Sequence, residues 1–550
     1  MMKPILTLAC LALSQAVCAQ TASTLTRPHD PVVLTGASLP TYAGLSPASI
    51  VGFRFGAGGW QQIPVQVDER ALLDVVKPYG TLGAAFGYGP SPTNPRALFY
   101  TDAATLTGAD PTPTFDADDE LVFMAKDAGG RATAAATPSG VVAGSCREIA
   151  VTDPLGGLGY VYLFQSAGTL APGAGVSYVT YTSNVTSTGG FPAHLSGTNA
   201  ENTVISTPRY SWHFASEWVS DELKLAVGNN ADLLDRYKNF FADGNCARHE
   251  DAFSAGENAF VTLKAGPVRV IRSYMGAVSG PLTQRTHLFY EGRHDIFTDL
   301  RVHSIPSIQD AFDYSPAALG MTYRNNLNLT GVVVNGIPDA VVLGDISWEQ
   351  VSGAPGTLSI LHRRATTLTA ANATFSSYYD DNSTAPASSC TGDGQALGTS
   401  GVSVQFIGNT CTDPIAASGC GTASADYRTL QTTRVLYFDA AGAATTTAAA
   451  HNSRFNSPLQ AAVGGCTTVS ALSPALAPGA ISVYPNPSSG QLSVAVDQGC
   501  ELRVYNALGQ QVLATRLTAG TSQLRLRKKG LFLFVFSNGT RHQSFRQLMR

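Results

Sequence analysis

The densest set of reactive side chains lies in "AFVTLKAGPVRVIRSYMGAVSGPLTQRTHLFYEGRHDIFTDLRVHSI", residues 259–305. Arg269 shares one strand face with Ile271, while Val268, Val270 and Arg272 share the other. Arg285 and His287 share a face of the next strand, Tyr290 stands at its end, and Arg301 and His303 share a face of the third. Arginine neutralises a carboxylate, and Tyr or His moves a proton, so a sheet lined this way can bind and cleave an acidic polymer. The same residues also fit the solvent face of an ordinary sandwich, where Arg and His are common.

A second group is acidic. Asp116, Asp118, Asp119 and Glu120 cluster in "FDADDELVF". Hard carboxylates at alternating spacing suit Ca²⁺, the one cofactor this sequence suggests and none that its fold requires. The stretch lacks the glycine and ligand ladder of an EF-hand, so a solvated acidic turn before a strand is the competing reading. In "QVDER", Gln66, Asp68 and Arg70 fall on one face, read as exposed rather than as a cleft wall. His213 and Glu217 are at i, i+4, the spacing of a helix face, but no third metal ligand is specified. His249-Glu250-Asp251 reads as polar loop. No GxSxG, HExxH or P-loop occurs, which removes the usual support for a serine hydrolase, a zincin or a nucleotide hydrolase.

The elements that must position these groups are strands. "IVGFRF", "WQQIPVQVDER", "REIAVTD", "GYVYLFQ", "GVVVNG", "AVVLGDISWEQV", "TLSILHRRA", "VSVQFIG" and "RTLQTTRVLYFD" alternate or run apolar between turn residues. The reactive stretch itself predicts three long strands, at about 259–276, 282–290 and 294–304, with turns at Ser279-Gly280 and Glu291-Gly292. One helix is predicted in "NNADLLDRYKNFFADG": Leu233, Leu234, Tyr237, Phe240 and Phe241 fall on one face, between Asn230 as cap and Gly244 as stop. Residues 441–480 are rich in Ala, Gly, Ser and Pro and read as a linker, ordered or not.

Bulk composition agrees. Of 550 residues only 13% are charged, with 54 Gly and 30 Pro, which suits an extracellular β-rich protein rather than a helical bundle. "MMKPILTLACLALSQAVCAQ" has a lysine, a short apolar run and small residues before Gln20, the pattern of a signal peptide cleaved between Ala19 and Gln20. Seven cysteines follow it, an odd number, and Cys390, Cys411 and Cys420 are placed to staple a loop. Charge is uneven: residues 481–550 hold nine basic and two acidic side chains, whereas 20–480 hold 25 basic and 37 acidic. The two segments therefore suit different partners, and an exported acidic body does not suit nucleic acid.

After residue 480 the strands are short and crisp: "ISVYPNP", "QLSVAV", "CELRVYNALGQQVLATRL", "SQLRLR", "KGLFLFVFSNG", "RHQSFRQLM". They predict a small β-sandwich of immunoglobulin-like kind. Pro485 and Pro487 end the first strand, and Asn506 to Gly509 makes a tight turn. This unit resembles the C-terminal sorting domain of the type IX (Por) secretion system. The resemblance rests on Tyr484, Pro485, Asn486, Pro487 and Gly490, on Tyr505, Asn506 and Gly509, and on Lys529 and Gly530. Phe532 stands where the family has tyrosine. The resemblance implies export through the periplasm to the outer-membrane surface or medium of a member of the Bacteroidota, with the type IX translocon as partner and surface lipopolysaccharide as a possible anchor. More weakly, "AGPVRVIRSY" is similar to a strand opening in carbohydrate-active β-supersandwich proteins, which implies a lyase or glycoside hydrolase with a glycan ligand.

The expected organisation is thus mainly β: a signal peptide at 1–19, an N-terminal β-rich region at 20–140, and a large antiparallel β-sandwich at 141–440 with a few short helices. The linker at 441–480 and the sorting domain at 481–550 complete it.

Overall fold

The computed structural model describes residues 22–79, 91, 92, 94, 96–132, 137–185, 201–241, 248–253, 259–276, 283–300, 306–366, 368–371, 373–387, 390–406, 430–466, 481–484, 488, 490–506, 510–526, 529–538 and 541–549. These residues are mainly β, arranged in antiparallel sheets.

Near the N-terminus, a five-stranded sheet runs in the order Gln460–Gly465, Arg147–Thr152, Leu158–Gln165, Ile50–Gly56, Gly59–Ile63. It faces a three-stranded sheet of Pro31–Thr35, Glu120–Met124 and Gln66–Asp68. Alternating apolar residues from both, including Val32, Leu34, Ile50, Leu121, Phe123, Ile149, Val161 and Leu163, fill the space between. The stretch read as linker therefore contributes structure: Thr445–Asn456 is a helix, and Gln460–Gly465 closes the five-stranded sheet. A disulfide, Cys146–Cys466, fastens this edge. Arg27 holds the helix end, donating to the carbonyls of Arg454 and Ser457 and to Asp30 and Asp153.

The large sheet has nine strands: Ala259–Ala265, Val270–Met275, Gln284–Phe289, Arg293–Leu300, Leu430–Asp439, Gly356–Thr366, Trp348–Gly353, Thr322–Asn325 and Asn328–Val333. Two four-stranded sheets accompany it, one with Leu234–Phe241, Ser307–Tyr314, Ala396–Phe406 and Ala373–Asn382, the other built around Tyr210–Phe214. Trp212, Phe214, Tyr237, Val270, Phe289, Phe312, Val351, Leu358 and Leu436 form the shared core.

Three expectations change. The predicted helix is the strand Leu234–Phe241, paired antiparallel with Ser307–Tyr314. Its residues from Tyr237 to Phe241 are all buried, because Lys238 meets Asp313 and Asn239 accepts from Arg285, so polar positions that a helix would turn to solvent point inward here. Asn230 is no cap but a turn residue with φ of 60°. The long strand at 259–276 is a hairpin, because Pro267 cannot donate to a ladder and Ala265 instead pairs with Val270. His213 lies in the strand Tyr210–Phe214 beside Asp221, so it shares no helix face with Glu217. The turn at Glu291-Gly292 lies where the sequence puts it, between Gln284–Phe289 and Arg293–Leu300. The Ser279-Gly280 turn lies outside the described residues.

Residues 481–549 form two layers. Ile481–Tyr484, Gln491–Val496 and Gly520–Arg525 make one sheet; Gln511–Leu517, Cys500–Asn506, Gly530–Asn538 and Arg541–Met549 make the other. Leu492, Val494, Leu502, Val504, Phe532, Phe534 and Phe536 are buried between them.

Candidate functional site

Register decides which reactive residues meet. In the nine-stranded sheet Arg272 pairs with His287, His287 with Ile296, Ile296 with Arg434 and Arg434 with His362. The adjacent same-face row runs from Tyr274 to Arg285, Thr298 and Thr432. This face turns inward, towards the sheet that contains Leu234–Phe241 and Ser307–Tyr314. Arg285 and His287 are thus brought together, but in the interior, and both are almost fully buried.

A charged chain crosses this interior. Arg285 donates to Asp310 at 3.0 Å, to the Asn239 side-chain oxygen at 2.9 Å and to Thr298 at 3.0 Å. Arg434 donates to the other oxygen of Asp310 at 2.9 Å and lies 3.6 Å from Glu349, which also contacts His362 at 2.9 Å. Both guanidinium groups lie against the ring of Tyr237, at 4.7 and 5.3 Å from its centroid. Burial alone would raise the Asp310 pKa; Arg285 and Arg434 outweigh it and hold the carboxyl below its usual range. Glu349 is likewise held low, by His362 and Arg434 against the cost of burial. Two cations therefore face two carboxylates, so the charge balances without an external ion, while Arg434 Nε and Nη2 and Glu349 Oε2 are buried without a hydrogen-bond partner.

Beside it, His287 contacts Tyr274 at 2.9 Å through Nε2 and His294 at 3.0 Å through Nδ1. His294 stacks on Phe289 and meets the edge of Trp212. Burial, with each other's proximity for His287, pushes both imidazoles well below their ordinary pKa, so both are neutral. A cavity of about 20 Å³, room for about one water, lies between Asn239, Phe241, Arg285, Ile308, Asp310, Val402, Val404, Leu430 and Thr432.

Arg269 and Tyr290 lie apart, against the N-terminal sheets. Arg269 donates to Asp68 at 2.8 Å, Glu120 at 2.6 Å and the Tyr290 hydroxyl at 3.1 Å. Gln66 accepts the backbone N–H groups of Val268 and Arg269 and donates to Asp68. The expected exposed face of "QVDER" is therefore a buried junction: Gln66 and Asp68 are covered because Arg269 requires counter-charge there. Arg301 and His303 lie outside the described residues.

The acidic cluster is already engaged in part. Asp119 accepts the backbone N–H groups of Arg70 and Asp116, and Glu120 accepts Arg269, Arg70 and Tyr100. Among the described residues no group of three His, Cys, Asp or Glu side chains is arranged to hold a metal. Burial and the neighbouring Asp116 raise Asp118 to about 7, and burial raises Asp119 to about 6. Cys390 is disulfide-bonded to a partner outside the described residues, where Cys411 and Cys420 also lie.

The sequence motifs miss Asp310, Arg434, Asn239 and Glu349. Only Arg434 carried a signal, its alternation within "RTLQTTRVLYFD"; the rest depend on register between distant strands.

In the C-terminal unit Tyr484 pairs with Ser493, and Gly490 has φ of 111°, a conformation costly for other residues. Tyr505 and Asn506 end their strand, and the Asn506 side chain accepts the Gln510 N–H at 2.9 Å to close the turn. Lys529 precedes Gly530, which opens the Gly530–Asn538 strand at φ of 125°. Pro485, Asn486, Pro487 and Gly509, like the cleavage pair Ala19 and Gln20, lie outside the described residues. Residues 482–549 match the family model of the secretion system C-terminal sorting domain. The C-terminal unit is a type IX sorting domain. The chain is accordingly an exported protein, bound for the cell surface or the medium, and the sorting domain engages the type IX secretion machinery. Among the described residues no helix is long and apolar enough to cross a membrane.

No curated protein matches the chain. Among solved structures, an α-mannosidase from Enterococcus faecalis V583 is similar over 95% of this chain and 55% of its own length, at 7% identity and a TM-score of 0.33. The chain thus spans about half of that protein. PorZ, an essential bacterial surface component of the type IX secretion system of Porphyromonas gingivalis, is similar over 71% of this chain and 61% of its own, at 11% identity and a TM-score of 0.12. Dimeric latent PorU from the same organism covers 70% and 35%, at 9% identity and a TM-score of 0.13. Likenesses this distant assign nothing to the body.

Proposed function

We propose that this protein is a cargo carried through the periplasm to the type IX translocon and delivered to the outer-membrane surface or beyond, where its β body serves as a binding or structural module. The sorting domain supports delivery. What supports a non-catalytic body is the pairing of Arg269, Arg285 and His287 with internal partners, Asp68 and Glu120, Asp310, and Tyr274 and His294. Groups engaged in this way hold sheets together rather than wait for a substrate. Once the sorting domain is removed, release and attachment to surface lipopolysaccharide are the two fates this reading allows.

Truncation after Gly479 tests delivery: the shortened chain accumulates in the periplasm while the full chain reaches the surface or medium. Normal export of the truncated chain overturns the proposal.

The similarity of "AGPVRVIRSY" to carbohydrate-active strands leaves a second reading, an enzyme acting on glycans, although the cavity beside Arg285 and Asp310 has room for about one water and not for a sugar. Incubation of the purified protein with acidic and neutral polysaccharides distinguishes the two. New unsaturated products or reducing ends establish the enzyme; neither turnover nor binding removes the glycan reading.

A further inference from the structure

Lys238 is the one lysine among the described residues that is fully buried, and its ammonium lies 2.5 Å from the carboxylate of Asp313, itself 1% exposed. Ionised side chains are seldom buried this completely, because desolvation can exceed the Coulombic gain of the pair. Register explains how the two meet. Arg236 pairs with Asp313 and Lys238 with Ala311, so Lys238 and Asp313 are diagonal neighbours on one face of adjacent antiparallel strands. The four-carbon stem of the lysine spans that diagonal.

The two carboxylate oxygens of Asp313 are held differently. Oδ1 accepts the Leu397 N–H and the Thr399 hydroxyl. Oδ2 faces the lysine, but the contact lacks the angles of a hydrogen bond, and this oxygen is buried with no hydrogen-bond partner. Donors on one oxygen and an amine beside the other are the arrangement that acyl transfer uses. Burial raises the Asp313 carboxyl despite Lys238, which favours passing a proton from the ammonium to the carboxylate and leaving a neutral amine. Asp235, on the same strand as Lys238, interacts electrostatically with both groups, and burial raises it to about 6, so a third carboxyl can relay the proton.

We propose that Lys238 and Asp313 condense to an amide that cross-links the strands Leu234–Phe241 and Ser307–Tyr314. Nζ attacks the Asp313 Cγ, negative charge gathers on Oδ1 where Leu397 and Thr399 donate, and the Cγ–Oδ2 bond breaks. Oδ2 leaves as water with two of the ammonium protons, and the third stays on the amide nitrogen. The step needs no oxidant, metal or cofactor. Its product replaces a buried ion pair with a neutral amide, which removes the cost of keeping two charges out of water.

Mass spectrometry of the mature full-length chain, with its disulfides reduced, tests this. The expected mass is lower by one water than that of Lys238→Arg once the substitution itself is allowed for, and digestion yields a branched peptide that joins Lys238 to Asp313. Asp313→Asn is expected to form the same amide with loss of ammonia in place of water, which keeps the test decisive where Lys238→Arg does not fold. A chain that keeps its full sequence mass after prolonged incubation at neutral pH overturns the proposal. So does a water loss that fragmentation places elsewhere.

Discussion

Arg269 and Asp68 lie 201 residues apart in sequence, yet the Arg269 Nε donates to Asp68 Oδ2 at 2.8 Å with both side chains buried. The contact joins two motifs that look unrelated in the linear text, "AGPVRV" and "QVDER". Glu120 completes it: burial would raise its pKa, but Arg269 and Arg70 hold it below the usual range. The N-terminal sheets and the nine-stranded sheet are locked at this junction.

Arg269→Met leaves the buried Asp68 with only Lys264 for a cation, at 3.9 Å, and the half-buried Glu120 with only Arg70, and the expected loss is about 3–5 kcal/mol in urea unfolding. Arg269→Met combined with Asp68→Leu loses less than the sum of the single changes. A loss below about 1 kcal/mol for the single change would make the pair no stronger than a surface bridge.

The acidic turn gives a pH dependence of known sign. Burial and Asp116 raise Asp118 to about 7, from an unfolded value near 4. Between those values the folded state keeps a proton that the unfolded chain has released, so stability falls as pH rises through the window, and the cost is complete above it. Asp118→Asn therefore raises the urea midpoint at pH 8 and leaves it nearly unchanged near pH 4. Added salt shrinks the gain, because the group is only partly buried. Equal gains at both pH values would remove the titration as the cause.

Cys146 and Cys466 close a loop of 320 residues, and their bond fastens Gln460–Gly465 to Arg147–Thr152. Cys146→Ser is expected to cost about 2–5 kcal/mol. Amide exchange should speed first in residues 445–466, the helix and edge strand nearest the lost bond. Unchanged exchange there would mean that the Arg27 clamp on Arg454 and Ser457 suffices.

Much of this was legible from the residues. Period-two alternation and turn chemistry place most strands, because each needs only its own neighbours. "YPNP", "YNALGQ" and "KG" mark the sorting domain for the same reason: each is local turn chemistry at a characteristic spacing. What failed depended on distant partners. Leu234–Phe241 has its strand form imposed by Ser307–Tyr314, and the burial of Gln66 and Asp68 follows from Arg269, which no local pattern reveals. The candidate site illustrates both halves. Alternation pairs Arg285 with His287, but only the register places Asp310 and Arg434 beside them.

The sorting domain is small, and a unit of about seventy residues has little stability to spare. Phe534 is fully buried between its two sheets, paired with Phe545 across the last two strands and with Val504 on the other side. Phe534→Ala removes most of a ring from that core, at about 3–5 kcal/mol, enough to unfold such a domain. The body does not draw on this core, since Trp212, Phe312 and their neighbours form a separate one. The expected outcome is therefore a chain whose main melting transition is unchanged but which no longer reaches the surface. Fractionation of cells expressing the variant checks it. A variant that is unfolded in residues 481–550 yet exported normally would show that the translocon reads the linear motifs and not the folded sandwich.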